Sequence, residues 1–345
     1  MTETAVPVRI GIVGTGSISG SLAEAARRSA DCEVAAVYSR DEARAAAFAQ
    51  EYDIPLHFCG WEAFLSSADI DAVYIASPNC MHYPQTMAAL ESGKHVLCEK
   101  PFALCAAQGR AMLDSARNAG LTLLEAIRPI HDPFLRIITD NLPRIGTLRR
   151  ASFDFCQYSS RYDRFKAGEY VRTFDAALGN AALLDLGVYC LHCCVALFGV
   201  PRDIHTRASF LPNGTEAAGT MLLDYGDMQA TIAYSKVSQA VVPSFIQGEA
   251  GTLTMGTLNQ PSFVELCLRG QEPERLPLAP LGPNMNIVYE IETFCRCVRG
   301  EATTERWDAQ TLAVLSLMDE ARAQTGIDFG TSESLTFGWA PGSPK

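Results

Sequence analysis

Val8–Ser19 reads "VRIGIVGTGSIS". The apolar run Val8–Val13 stops at Gly14, and the pattern Gly14-x-Gly16-x-x-Ser19 leads into "SLAEAARR" (Ser21–Arg28), a helix-forming stretch. Gly14 permits a tight turn out of a strand. Gly16 lets the backbone come close to a pyrophosphate, and Ser19 is small enough for the next helix to pack against the sheet. A helix starting near Ile18 offers its first amides to negative charge. Such a glycine pattern is often only a turn. Here it follows a strand, precedes a helix and opens a βαβ unit, which is the context a dinucleotide site requires.

Outward from that turn, strand-like and helix-like stretches alternate through the first ~125 residues. "EVAAVYSR" (Glu33–Arg40) is followed by "DEARAAAFAQEY" (Asp41–Tyr52), and "DAVYIASP" (Asp71–Pro78) by "HYPQTMAALESG" (His82–Gly93). "HVLCEKP" (His95–Pro101) precedes "AAQGRAMLDSARNAG" (Ala106–Gly120), and "LTLLEAI" (Leu121–Ile127) closes the series. Strands with so little polar alternation belong to a parallel sheet covered on both faces. The class is α/β, with a doubly wound, Rossmann-type dinucleotide-binding domain over 1–127.

After Pro129 the strand candidates follow one another without intervening helices: Leu148–Gln157, Ala217–Tyr225, Met228–Val237 and Gly251–Met255. Tyr225-Gly226-Asp227 reads as a hairpin turn. Helical stretches are expected at Ala182–Phe198, Asn286–Val298 and Ala309–Ala323. Residues 128–345 therefore read as an α+β domain with an open, mostly antiparallel sheet.

The bulk properties narrow the partners. The 345 residues are 48% apolar and carry a net charge of −11, which argues against nucleic acid or an anionic membrane. The N-terminal "MTETAVPVRIGIVG" has no basic segment ahead of an apolar one, so it does not read as a signal peptide. No apolar stretch is expected to reach the ~18 residues of a membrane span. Several of the twelve cysteines lie in apolar runs (Cys98, Cys190, Cys194), as buried thiols of a reducing cytoplasm do.

NAD sites usually place Asp or Glu at the end of the second strand, for the ribose 2′-hydroxyl. Here the chain has Ser39-Arg40, with Arg44 one helical turn on. A guanidinium and a hydroxyl suit a 2′-phosphate. The expected cofactor is NADP, with NAD possible.

Ligands of such sheets bind at the carboxyl ends of the strands. Those ends carry "SPN" (Ser77–Asn79), "EKP" (Glu99–Pro101) and "EAIR" (Glu125–Arg128). A lysine after a strand is usually only solvated. Pro101 behind Lys100 fixes φ and aims the turn, so the position of Lys100 is specified. In "GNAALLDLGVYCLHCC" (Gly179–Cys194), Asp185 and Tyr189 are four apart and share a helix face. His192 lies three further along that face, and Gly187 leaves one side bare. A helix whose polar groups merely bond neighbouring backbone is the plain alternative. Moving a hydride between a C–H and nicotinamide requires a proton to leave or join the adjacent oxygen. A tyrosine, pKa ~10 in water, needs a nearby ammonium to do this near neutrality. Lys100 is the expected source, with Asp185 holding the lysine or a substrate hydroxyl.

Together these stretches resemble the Gfo/Idh/MocA family of oxidoreductases across nearly the whole chain. The match includes "GIVGTGSIS", "AVYSR", "IASPNCMHYPQTMAALESGKHVLCEKP", "LLEAIR", "LLDLGVY" and "IQGEAGTL". "SRYDRFKAGEY" and "LLDLGVYCLH" look most like the branch with dihydrodiol dehydrogenases and NADP-dependent xylose dehydrogenases. The resemblance implies catalytic roles for Lys100, Tyr189 and Asp185. It implies cofactor contacts from Gly14, Thr15, Gly16, Ser17, Ile18, Ser39, Arg40, Ser77, Pro78, Asn79, His82, Glu99, Lys100 and Arg128. It also implies a homodimer or homotetramer through the C-terminal sheet. Three positions depart from the pattern. Tyr189 stands where inositol-type members carry histidine, which disfavours an inositol. Asn180 replaces a second glycine after Gly179, altering the pocket wall. "EAIRPIHDP" differs from the mammalian dihydrodiol enzymes, against an aromatic diol.

"CLHCC" (Cys190–Cys194) invites a metal reading, but His192 faces away from Cys190 and Cys194 on a helix, and buried thiols are expected instead, with no metal. His82 and His131 are expected to be structural or solvated. "RYDRFKAGEY" (Arg161–Tyr170) is either a surface loop or a segment reaching the site, the latter favoured. The expected function is hydride transfer between NADP(H) and a secondary alcohol or carbonyl of a sugar, polyol or diol. The alternative is a non-catalytic NAD(P)-binding sensor of the same fold, which would have no use for Lys100, Asp185 and Tyr189. A third possibility, coupling two sugars with a tightly held cofactor, usually comes with an extra N-terminal arm.

Overall fold

The computed structural model describes residues 6–329. These divide into two compact units, one of 6–126 with 281–309 and one of 127–280 with 310–329.

In the first unit, β1 (Val8–Val13), α1 (Ser17–Ala26), β2 (Cys32–Tyr38), α2 (Glu42–Glu51), β3 (Leu56–Phe58), α3 (Trp61–Ser66), β4 (Ala72–Ile75), α4 (His82–Glu91), β5 (His95–Glu99), α5 (Ala106–Ala119) and β6 (Leu123–Ala126) alternate. The strands form one six-stranded sheet in the order β3-β2-β1-β4-β5-β6. Each neighbouring pair is parallel. All four residues of β4 and of β6 are buried, as expected of strands covered on both faces. The order reverses between β1 and β4, where a doubly wound sheet opens its ligand crevice.

The second unit begins with a 3₁₀ turn at Arg128–Ile130 and α6 (Pro133–Asn141), then β7 (Leu148–Cys156) and the short α7 (Tyr162–Lys166). One turn of π-helix, Leu183–Gly187, runs into α8 (Val188–Phe198). A meander follows: β8 (Asp203–Phe210), β9 (Glu216–Asp224), β10 (Gln229–Ser235), β11 (Ser244–Gly248), β12 (Gly251–Met255), β13 (Val264–Leu268) and β14 (Glu274–Leu276). With β7 these form an eight-stranded sheet, order β14-β13-β12-β11-β7-β10-β9-β8. It is antiparallel except where β7 pairs with β10. Gly226, at φ +85°, makes the β9–β10 turn, with Tyr225 N–H donating to the Met228 carbonyl.

Alternation along the sheet shows which side is covered. Ala151, Phe153 and Phe155 of β7, and Ala230, Ile232 and Tyr234 of β10, are buried beneath the π-turn and α8. Arg150, Ser152 and Asp154 on the other side are exposed or half-buried. The helical run Ala176–Phe198 corrects the expectation about apolar stretches. Its length and mean hydropathy of 1.9 suffice for a membrane crossing, but most of it is buried inside the unit. It is long and apolar because it is the unit's core helix. The last helices among the described residues are α9 (Ile287–Val298) and α10 (Glu305–Thr325). In the first unit α9 packs on α1, and Arg299 just beyond it reaches Asp31 at 2.7 Å.

Candidate active site

Gly14 sits at φ +105°, a conformation that side-chain-bearing residues rarely adopt, and a Cβ there would lie 2.8 Å from the Ala76 carbonyl oxygen. A bare backbone is therefore required where β1 turns beside the end of β4. Gly16 caps α1, and a Cβ there would meet open space. No side chain among the described residues caps α1, and its first turn carries no acidic group. Thr15 and Ile18 are half-buried, and Ser17 is exposed. Ser19 is fully buried, as close packing of α1 demands. The amides of α1 are thus presented to an anion, and the residues present fit a dinucleotide pyrophosphate.

At the end of β2, Arg40 is exposed and Ser39 half-buried. The neighbouring Asp41 is occupied locally. Its carboxylate accepts the Arg44 N–H at 3.1 Å as the cap of α2 and lies 3.4 Å from the Arg44 guanidinium. Arg44, expected to assist Arg40, is engaged with Asp41 instead. Arg40 supplies the cation that fits a 2′-phosphate.

The turn bearing Lys100 is pinned on several sides. Glu99 is buried at the end of β5, accepts a hydrogen bond from the Tyr74 hydroxyl, and accepts the Lys100 N–H at 3.2 Å. The Lys100–Pro101 peptide is cis. Glu125, buried at the end of β6, accepts the Phe102 N–H at 3.1 Å. His82 lies with Nδ1 2.8 Å from the Pro101 carbonyl and Nε2 3.0 Å from the Ser77 carbonyl. Burial holds its imidazole below the usual range, so the ring is neutral and donates to one of these carbonyls. His82 thereby ties the strand end at Ser77 to the lysine turn. The resemblance implies a cofactor contact from His82, and its two ring nitrogens meet the carbonyls of Pro101 and Ser77 at the strand ends. Ser77 Oγ is fixed by Gln85 Oε1 at 2.6 Å, and Pro78 and Asn79 are half-buried beside it. Glu125 was not singled out from sequence as a site residue, although its place at a strand end was the available signal.

In the second unit, the expected stripe of Asp185, Tyr189 and His192 resolves into three side chains with different partners. Tyr189 is buried, its ring edge-on to Phe155 of β7 with centroids 5.3 Å apart. Its hydroxyl lies 3.4 Å from a guanidinium nitrogen of the buried Arg128. Asp185 Oδ2 lies 2.9 Å from the Nζ of Lys236, whose side chain is buried while that of Asp185 is 39% exposed. His192 is fully buried and meets the Gln310 side-chain amide at 3.2 Å, away from the chemistry. The bare side of Gly187 faces the Tyr234 ring, which a Cβ would approach to 3.1 Å. What comes close to Gly187 is β10 of its own unit.

The π-turn has its own anchor. Glu216, at the start of β9, accepts the Leu183 N–H at 3.0 Å, and burial pushes its carboxyl up to about 7. Single π turns recur at functional sites, because the extra residue per turn re-aims side chains. Here the turn carries Asp185 and delivers Tyr189 on the first turn of α8. Asn180 donates to the carbonyls of Arg172 (2.7 Å) and Asp175 (3.1 Å). This fixes the end of the aromatic segment, in which Tyr162, Phe165 and Phe174 pack together.

Cys190 and Cys193 stand at a C-x-x-C spacing, with Cys194 adjacent. All three are free and buried, and burial pushes the thiols up, Cys193 to about 12. Thiols so held are inert. Among the described residues no group of His, Cys, Asp or Glu could hold a metal ion.

Residues 8–126 match the model of an oxidoreductase family with an NAD-binding Rossmann fold, Gfo/Idh/MocA, and residues 143–254 match the Gfo/Idh/MocA C-terminal domain. A scyllo-inositol 2-dehydrogenase (NADP(+)) of Bacillus subtilis is 36% identical over 95% of this chain and 100% of its own. The trans-1,2-dihydrobenzene-1,2-diol dehydrogenase of Mus musculus is 29% identical, covering 93% of this chain and 98% of its own. Among solved structures, the 3-ketoreductase KijD10 of Actinomadura kijaniata, in complex with NADP and TDP-benzene, matches with a TM-score of 0.83 at 25% identity, covering 93% of this chain and 98% of that one.

Proposed function

The chain belongs to the Gfo/Idh/MocA family of oxidoreductases, and from that premise we propose that it moves a hydride between NADP(H) and a CH–OH carbon of a small sugar, cyclitol or diol. The observation that carries this reading is the pairing of the buried Arg128 guanidinium with Tyr189, which stands on α8 just after the π-turn that bears Asp185. When bound, nicotinamide supplies or accepts the hydride. The protein has to manage the matching proton. Tyr189 exchanges it with the substrate oxygen, as a positioned acid–base group does. The buried Arg128 guanidinium beside the Tyr189 hydroxyl holds it in place, Lys100 takes the catalytic role that the family resemblance implies, and Asp185 orients a substrate hydroxyl. The non-catalytic alternative gains nothing from the relatives, which are named dehydrogenases and a reductase.

The likeness to a scyllo-inositol dehydrogenase weighs against the expectation that Tyr189 disfavours inositols. Cyclitols therefore join the substrate range. Arg40, with the neighbouring Asp41 carboxylate engaged in capping α2 and by Arg44, supports NADP over NAD. We place the enzyme in the cytoplasm, consistent with its twelve free cysteines. We assign it a homodimer or homotetramer through the second unit's sheet, whose outer side carries the half-buried Phe245 and the 37%-exposed Leu222. The acidic balance of −11 supports neither nucleic acid nor a membrane as partner.

The test is absorbance of the reduced nicotinamide with NADP⁺ or NAD⁺, against a panel of pentoses, hexoses, inositols and cyclic diols, with Tyr189→Phe alongside. Turnover by the parent that is lost in the variant supports the assignment. Tight cofactor binding with no turnover on any member refutes it.

A further inference from the structure

Lys236, just past the end of β10, is 4% exposed. A buried ammonium is costly unless every side of it is answered. Its Nζ lies 2.9 Å from Asp185 Oδ2 and donates to the Thr173 carbonyl at 3.2 Å, and it stands 5.5 Å from the centre of the Phe174 ring. The backbone of the same residue is also engaged. Its N–H donates to the Ala217 carbonyl, and its carbonyl accepts the Ser159 N–H at 2.8 Å. Lys236 therefore grips the aromatic segment near both ends, at Ser159 and at Thr173. With the same side chain it fixes which way the Asp185 carboxylate points.

We propose that Lys236 is the positioning residue of this site: it holds Asp185 in the orientation that receives a substrate hydroxyl, and couples that carboxylate to the 159–174 segment as one substrate-binding wall. The inference rests on the reading of Asp185 as the group that orients substrate. A neutral side chain of similar length would leave the fold of β10 intact but remove the charged tether. Asp185 would then rotate among several orientations, and the segment would lose its hold at Thr173. Cofactor affinity should be unaffected, because the pyrophosphate and ribose positions come from residues of the first unit.

The experiment compares Lys236→Met, Lys236→Arg, Asp185→Asn and the double variant Lys236→Met/Asp185→Asn. kcat and KM are measured on the best substrate of the panel, with NADP⁺ dissociation followed by nucleotide fluorescence. Lys236→Met should lower kcat/KM by about tenfold or more, the worth of a charge-assisted bond, mostly through KM for the substrate. The NADP⁺ constant should stay within about twofold. Lys236→Arg should recover part of the loss. The double variant should be no worse than Asp185→Asn alone, as for two groups acting through one. Multiplicative losses in the double variant, or a Lys236→Met protein with parental kcat/KM, would overturn the proposal. Should Lys236→Met fail to fold, Lys236→Gln decides: it keeps polarity and most of the length but not the charge, so parental kcat/KM in it overturns the proposal. Asp185→Asn with parental activity sinks the reading of Asp185 itself, and the proposal with it. An impaired Asp185→Asn beside an unimpaired Lys236→Met sinks the proposal alone.

Discussion

The guanidinium of Arg128 stands 3.4 Å from the hydroxyl of Tyr189, and both residues are buried. They lie 61 residues apart in sequence. Arg128 occupies the turn that follows β6, and Tyr189 the first turn of α8. A permanent cation is thus built beside the phenol assigned to proton exchange. Replacing Tyr189 by Phe should lower kcat by about 10²–10⁴-fold, the usual worth of a positioned acid–base group. Arg128→Met should lower kcat by about tenfold or more by stripping the hydroxyl of its charged neighbour. Steady-state kinetics with saturating NADP⁺ separates the outcomes. A change in Arg128→Met confined to the KM for NADP⁺ would assign the residue to the cofactor alone.

Gly14→Ala tests the dinucleotide turn. The added methyl meets a backbone oxygen at 2.8 Å in a left-handed conformation, at a cost of about 1–3 kcal/mol. A lower melting temperature and a large rise in the NADP⁺ dissociation constant are expected. Undiminished NADP⁺ affinity would show that the turn does not cradle the cofactor.

Arg40→Ala separates the two cofactors. A guanidinium bonded to a phosphate contributes about 1.5–3 kcal/mol. The ratio of kcat/KM for NADP⁺ over NAD⁺ should therefore fall by about tenfold or more, with kcat/KM for NAD⁺ nearly unchanged. An equal loss for both would remove Arg40 from 2′-phosphate recognition.

Glu216 gives the second unit a pH dependence of known sign. Its carboxyl is held up to about 7 by burial, against 4.5 in the unfolded chain. Below 4.5 both states hold the proton and the effect is nil. As pH rises from 4.5 through 7 the unfolded chain releases a proton that the folded chain keeps, so stability falls, by about 3 kcal/mol in all. His82 works in the opposite direction in the first unit. Its folded value lies below 6.5, so stability present above 6.5 declines as pH drops beneath it. Thermal melts across pH 5–8.5 should show Glu216→Gln losing less stability between pH 5 and 8 than the parent. Parallel curves would contradict the assignment.

The first unit was legible because its strands are continuous apolar runs punctuated by glycine. Val8–Val13 and Gly251–Met255 in the second sheet appear with the ends read from sequence. Leu56–Phe58 escaped because three residues carry no period, and Asp203–Phe210 because this edge strand alternates polar and buried residues with little apolar content. Asp185 and Tyr189 were readable from their spacing along one helix. The groups that hold them were not. Lys236 and Glu216 come from other elements, and Arg128, expected as a cofactor contact, was not read as the neighbour of Tyr189; side chains that meet only through tertiary packing leave no local mark. The same holds for His192, whose helical spacing suggested company with Tyr189 but whose partner is Gln310. Spacing tells which face a residue shares, not what stands opposite.

The π-turn at Leu183–Gly187 also makes the chain vulnerable in one particular way. A single codon lost there would let the winding relax to the ordinary α-helix, turning Asp185 by about 100° relative to Tyr189. The apolar helix could still bury itself and the protein could still be made, stable and inert. Inheritance at this spot is thus sensitive to length as well as to letter: contacts fix Asp185 and Gly187, and the winding fixes the number of residues.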